Sequence, residues 1–89
     1  MLFYMNKYIQ TPDKIIDLHR YTVREAEAVL VELCKQNKIH ARIIVGRGTH
    51  SANGPVLREF VKDFLQRKNV RFTQSKLQDG GEGSLEAFL

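Results

Sequence analysis

Asp17 and His19 lie two residues apart in the segment Lys14-Ile15-Ile16-Asp17-Leu18-His19, which reads as a strand. Side chains alternate along a strand, so both residues face the same way, with Ile15 beside them and Ile16 and Leu18 opposite. A histidine is the usual side chain for moving a proton near neutral pH. Asp17 can orient that imidazole or stabilise its charged form. The alternative is that both residues only satisfy backbone groups where a strand meets a turn. As a metal pair they lack a third ligand at a convincing spacing.

A second group of reactive residues follows the next strand, in Gly46-Arg47-Gly48-Thr49-His50. Gly46 and Gly48 permit a tight turn in which backbone N–H groups converge on an anion. Arg47 adds a fork of donors suited to phosphate oxygens. His50 offers a second proton-transfer group or another phosphate contact. The alternative is an ordinary flexible connection between a strand and a helix. Arg20, Arg24, Arg42 and Arg58 extend a basic surface on this reading, whereas His40 is expected to be structural. Phe72 and Phe88 are single strand aromatics and are expected in the core.

Several elements must position these groups. Thr22 and Glu25 form a capping box that starts a helix at about residue 23. Val23, Ala26, Leu30, Leu33 and Cys34 then recur at helical spacing, and the helix is expected to run to about 37. His40–Val45 alternates as a second strand, with Ala41, Ile43 and Val45 on one face and Arg42 and Ile44 on the other. Pro55 suits the first turn of a second helix, striped by Val56, Leu57, Phe60, Val61, Phe64 and Leu65 and ended by Asn69. A third strand is expected over 70–75, a glycine-rich turn over 78–83 and a last strand over 84–89.

The order is β-α-β-α-β-β. Two right-handed crossovers imply parallel pairing, and the final pair returns as an antiparallel hairpin. The expected architecture is an α/β two-layer sandwich: a mixed four-stranded sheet with two helices on one face. Ile16, Leu18, Ile43 and Val45 face the helices, while Asp17, His19 and Arg42 are left in water. Ligands of such sheets bind beyond the carboxyl ends of parallel strands, where both groups of reactive residues fall. The helix N-termini near Thr22 and Pro55 point toward the same edge, where their N–H groups favour phosphate.

The 89-residue chain has room for one domain, expected over 14–89, preceded by an arm over 1–13. Fourteen Lys and Arg against ten Asp and Glu give a net charge of +4, which favours an anionic partner. Cys34 is the single cysteine and excludes an internal disulfide and a cysteine metal cage. It falls on the apolar helical stripe and is expected to be a small core residue. No apolar run approaches the ~18 residues of a membrane span. The first residues lack the charged leader and long apolar stretch of a secretory signal, so a cytoplasmic, membrane-free monomer is expected.

Four motifs occur in order: Ile16-Asp17-Leu18-His19, Gly46-Arg47-Gly48 with Thr49-His50-Ser51, Gly54-Pro55-Val56-Leu57, and Gly80-Gly81-Glu82-Gly83. In these the chain resembles the Smr (small MutS-related) domain family over about residues 14–89. The resemblance implies a fold like that of the C-terminal domain of bacterial translation initiation factor three. It also implies nuclease activity, since Smr domains nick DNA in some cases. In others they cleave RNA, including messenger RNA on stalled ribosomes. The family's Asp-x-His corresponds to Asp17 and His19, and its glycine motif to Gly46 and Gly48. Arg20 stands where a glycine commonly follows the histidine, and Val45 where a His or Thr commonly precedes the loop.

The expected activity is therefore endonucleolytic cleavage of RNA. Asp17, His19 and His50 would do the acid/base work, and Gly46, Arg47, Gly48, Thr49 and Arg20 would bind the phosphate. RNA carries its own nucleophile in the 2′-hydroxyl, so no cofactor is required; a divalent ion (Mg²⁺ or Mn²⁺) with Asp17 as a ligand is the alternative. Two further alternatives stay open: a non-catalytic module that binds RNA or the ribosome, and a DNA-nicking enzyme.

Overall fold

The computed structural model describes residues 11–46 and 54–89. Strand β1 (Lys14–Asp17) leads through a tight turn to helix α1 (Val23–Leu33), and strand β2 (His40–Ile44) follows. Helix α2 (Gly54–Arg67) then precedes strand β3 (Arg71–Gln74). Two short 3-10 turns, Leu77–Asp79 and Gly81–Gly83, connect it to strand β4 (Ser84–Phe88).

The capping box forms as the sequence requires. Thr22 Oγ1 accepts from Glu25 N at 3.2 Å and Glu25 Oε1 accepts from Thr22 N at 2.9 Å, satisfying two otherwise orphaned donors. Helix α1 is shorter than its apolar period suggests. It ends at Leu33, and Lys38 adopts a left-handed φ of 58° as the chain turns toward β2. Lys35 N donates to Glu32 O at 3.2 Å and Gln36 N to Leu33 O at 3.0 Å, so a tightened turn replaces the last expected turn of helix, and Lys38 N then donates to Leu89 O at 2.9 Å.

The strand order is β1-β2-β4-β3. β1 and β2 pair in parallel, whereas β4 is antiparallel to both β2 and β3. The expected mixed sheet and final antiparallel pair are therefore present. The second crossover, however, does not make a neighbouring parallel pair: β4 returns into the gap and separates β2 from β3. This insertion satisfies backbone groups on both sides of β4 and makes it a central strand.

Both helices cover one face. Leu18, Ala41, Ile43, Val45, Leu85 and Ala87 from the sheet side pack with Ala26, Leu30 and Leu33 of α1 and Leu57, Val61, Phe64 and Leu65 of α2. Cys34 and Phe72 pack against this core as expected. Phe88 does not. It lies on the opposite sheet face, its ring stacked on His40 at 4.8 Å with the Arg71 guanidinium 4.9 Å from its centroid.

That opposite face holds a polar network. Glu86, 0% exposed, accepts from Arg42 Nε at 2.8 Å and also bonds His40 Nε2 and the Ser75 hydroxyl. Arg42 is thus a paired residue beneath its neighbours rather than a solvated one, and it reaches Asp79 of the first 3-10 turn at 3.5 Å. A buried carboxylate needs such partners, because desolvation alone strongly disfavours its charge. Burial pushes the Glu86 carboxyl up. The bonds from Ser75, Arg42 and His40, with the Arg42 charge, outweigh it and hold the group below its ordinary 4.5. No helix among the described residues is long and apolar enough to cross a membrane.

Candidate active site

Parallel pairing aligns Asp17 with Ile44, so the ends of β1 and β2 lie side by side. Leu18 N donates to Ile44 O at 2.7 Å, and Tyr21 N closes a turn onto Leu18 O at 2.9 Å. His19 and Arg20 occupy the middle of that turn and are exposed. Leu18 is fully buried and fixes the turn to the core.

Within the turn, Asp17 Oδ1 accepts from His19 N at 3.0 Å and from His19 Nδ1 at 2.5 Å. A carboxylate can only accept, so Nδ1 carries the proton and Nε2 of a neutral His19 is left with a free lone pair. Asp17 is held below its ordinary 3.8, first by the side-chain bond from His19 and then by the backbone bond. The two side chains are 51% and 48% exposed, open to a large substrate. The arrangement can therefore present an oriented proton acceptor at the surface of the domain.

Gly46 stands against this pair. A Cβ built on it would lie 3.3 Å from His19 Cβ, and its φ is +79°, a region L side chains rarely adopt. Its N–H is engaged within the protein: Gly83 O accepts from Val45 N at 2.8 Å and from Gly46 N at 3.0 Å. Gly46 thus contributes close approach to His19, while its amide ties the loop to the turn before β4. Val45 is 1% exposed and belongs to the core, so its side chain faces the helices rather than the site. Arg47, Gly48, Thr49 and His50 lie outside the described residues.

Two contributors were not among the expected site residues. Gly83 supplies the carbonyl that holds two consecutive amides, and Glu86 anchors the network beneath it. The available signals were the Gly80–Gly83 motif and the alternation that puts Glu86 on the Asp17 face. Among the described residues, no group of three or more His, Cys, Asp or Glu side chains is placed to hold a metal ion.

The site therefore joins an Asp-x-His at the end of one parallel strand to a close-packed glycine just beyond the next, on an α/β sandwich. The Smr domain family model matches residues 16–89, and the chain belongs to that family, which is associated with nuclease activity and nucleic-acid binding. The fold is similar to the crystal structure of the Smr domain of Thermus thermophilus MutS2. That similarity has 26% identity and a TM-score of 0.68, covering 85% of this chain and 96% of that one. It is also similar to the solution structure of the B3BP Smr domain. There the identity is 28% and the TM-score 0.63, over 98% of this chain and 87% of that one. No curated protein sequence matches the chain.

Proposed function

We propose that this Smr domain is an endoribonuclease whose proton acceptor is His19 Nε2. The observation that carries the reading is the doubly bonded Asp17–His19 pair, which leaves Nε2 free at the exposed edge of the sheet. His19 takes the proton of a 2′-hydroxyl as that oxygen attacks the adjacent phosphorus. The bond from phosphorus to the 5′ oxygen breaks, leaving a 2′,3′-cyclic phosphate and, once protonated, a 5′-hydroxyl. His50 is the proposed source of that second proton, and Arg47, Gly48, Thr49 and Arg20 are proposed to hold the phosphate. Positioned proton transfer of this kind is worth roughly 10²–10⁴-fold. Messenger RNA on a stalled ribosome in the cytoplasm is the proposed setting.

The test uses end-labelled single-stranded RNA and matched DNA, each in EDTA and in Mg²⁺ or Mn²⁺, with the wild type and His19→Ala. Cleavage of RNA in EDTA, lost in His19→Ala and yielding cyclic phosphate ends, supports the reading. Cleavage that requires the metal moves Asp17 into a ligand role. Intact binding with no cutting of either substrate leaves a binding module.

A further inference from the structure

Leu77 is 82% exposed, the most exposed large apolar side chain among those described. It sits on the first 3-10 turn, at the same end of the sheet as His19 and Gly46. That turn is held firmly: Asp79 pairs with Arg42, and Lys76 O accepts from Asp79 N at 2.8 Å and Gly81 N at 3.0 Å. Leu77 leans over Gly81, where a built Cβ would lie 3.5 Å from its Cδ1. Together with Gln74 and Glu82 these residues line an open cavity of about 310 Å³.

The cavity lies at the same end of the sheet as the proposed site, with β2 and β4 between β3 and β1. Gly81 and Glu82 belong to the turn whose Gly83 carbonyl holds the Val45 and Gly46 amides. Its lining does not suit a phosphate, because Glu82 presents negative charge. It suits a nucleobase: an apolar wall from Leu77, an amide from Gln74 and an acceptor-only carboxylate from Glu82. Carboxylates accept from the exocyclic amine of cytosine, and glutamine pairs with adenine in the same manner. Uracil has a carbonyl in place of that amine, and its oxygen would oppose the carboxylate.

We propose that Gln74, Leu77, Gly81 and Glu82 form a base-binding subsite for a nucleotide of the bound strand, selective for bases that carry an exocyclic amine. The subsite rests on the reading of this edge as a nucleic-acid site but not on cleavage.

Fluorescence anisotropy of labelled oligo(C) and oligo(U) RNA with the full chain tests this, since the two bases differ mainly in an amine against a carbonyl. The wild type is expected to bind oligo(C) at least fivefold more tightly. Leu77→Ser should weaken oligo(C) binding about tenfold with an unchanged melting temperature, and Glu82→Gln should narrow the oligo(C) preference. Equal wild-type affinities, or Leu77→Ser binding like the wild type, overturn the subsite. If the base preference and its loss in Leu77→Ser hold while the wild type cuts no RNA, the subsite stands and the nuclease reading falls.

Discussion

Gly46 and His19 approach so closely that a methyl group on the glycine would stand 3.3 Å from the histidine Cβ. The end of β2 therefore limits where the imidazole of the β1 turn can sit. Gly46→Ala adds a left-handed non-glycine residue, worth about 1–2 kcal/mol of strain. For a domain of this size the melting temperature should fall by roughly 4–16 °C. Cleavage should fall further than RNA affinity, as single-turnover kinetics and anisotropy on the same preparation will show.

Asp17 selects the His19 tautomer, so Asp17→Asn should lower cleavage on the order of 10²–10⁴-fold while RNA affinity changes little. The same variant has a signature in stability. Asp17 is depressed below 3.8 in the fold, so its contribution is present above that value and is lost as pH falls through the lowered one. Thermal denaturation between pH 5 and about pH 2 should therefore fall less steeply for Asp17→Asn than for the wild type.

Glu86→Ala removes the central acceptor shared by the half-buried Arg42 and His40 and should destabilise the domain by roughly 3–5 kcal/mol. Glu86→Gln keeps the volume and separates charge from packing. Since the folded carboxyl lies below 4.5, its stabilisation is present above that pH and fades as pH falls through the lowered value. The melting-temperature gap between wild type and Glu86→Gln should be widest near neutrality and close in acid.

Cys34 is pushed above its ordinary 9.0 by burial, with the Lys68 charge opposing. The thiolate is the reactive form, so iodoacetamide should alkylate it several-fold more slowly than a free cysteine at pH 8. Cys34→Ala should leave cleavage unchanged; a loss of cleavage with an unchanged melt would assign Cys34 a role this structure does not give it.

The local elements were legible because local rules decide them. The capping box at Thr22 and the stripe from Leu57 to Leu65 each depend on neighbours within a turn or two. The Asp17–His19 pairing was legible because the two residues are close in sequence, although they meet across the turn after β1 rather than on one strand face as expected. What stayed hidden depends on distant pairing. The segment Ser84–Phe88 alternates like a half-exposed strand, yet it is central, and Glu86 is buried because β2 and β3 flank it with His40, Arg42 and Ser75. Arg42 read as a solvated charge for want of that partner. The end of α1 was misread because Leu33 and Cys34 continue the apolar period, while the backbone tightens into i→i−3 turns at Lys35 and Gln36.

A single oxygen, that of Gly83, guards both the Val45 and Gly46 amides. Neither amide can exchange its hydrogen with solvent until that carbonyl swings away, and one excursion of the turn before β4 frees both. In deuterated water the two should therefore exchange at matched rates, and a ligand that clamps the Leu77–Gly83 connection should slow them together. The edge where RNA is proposed to sit would then breathe as one latch, shared between the end of β2 and the start of β4.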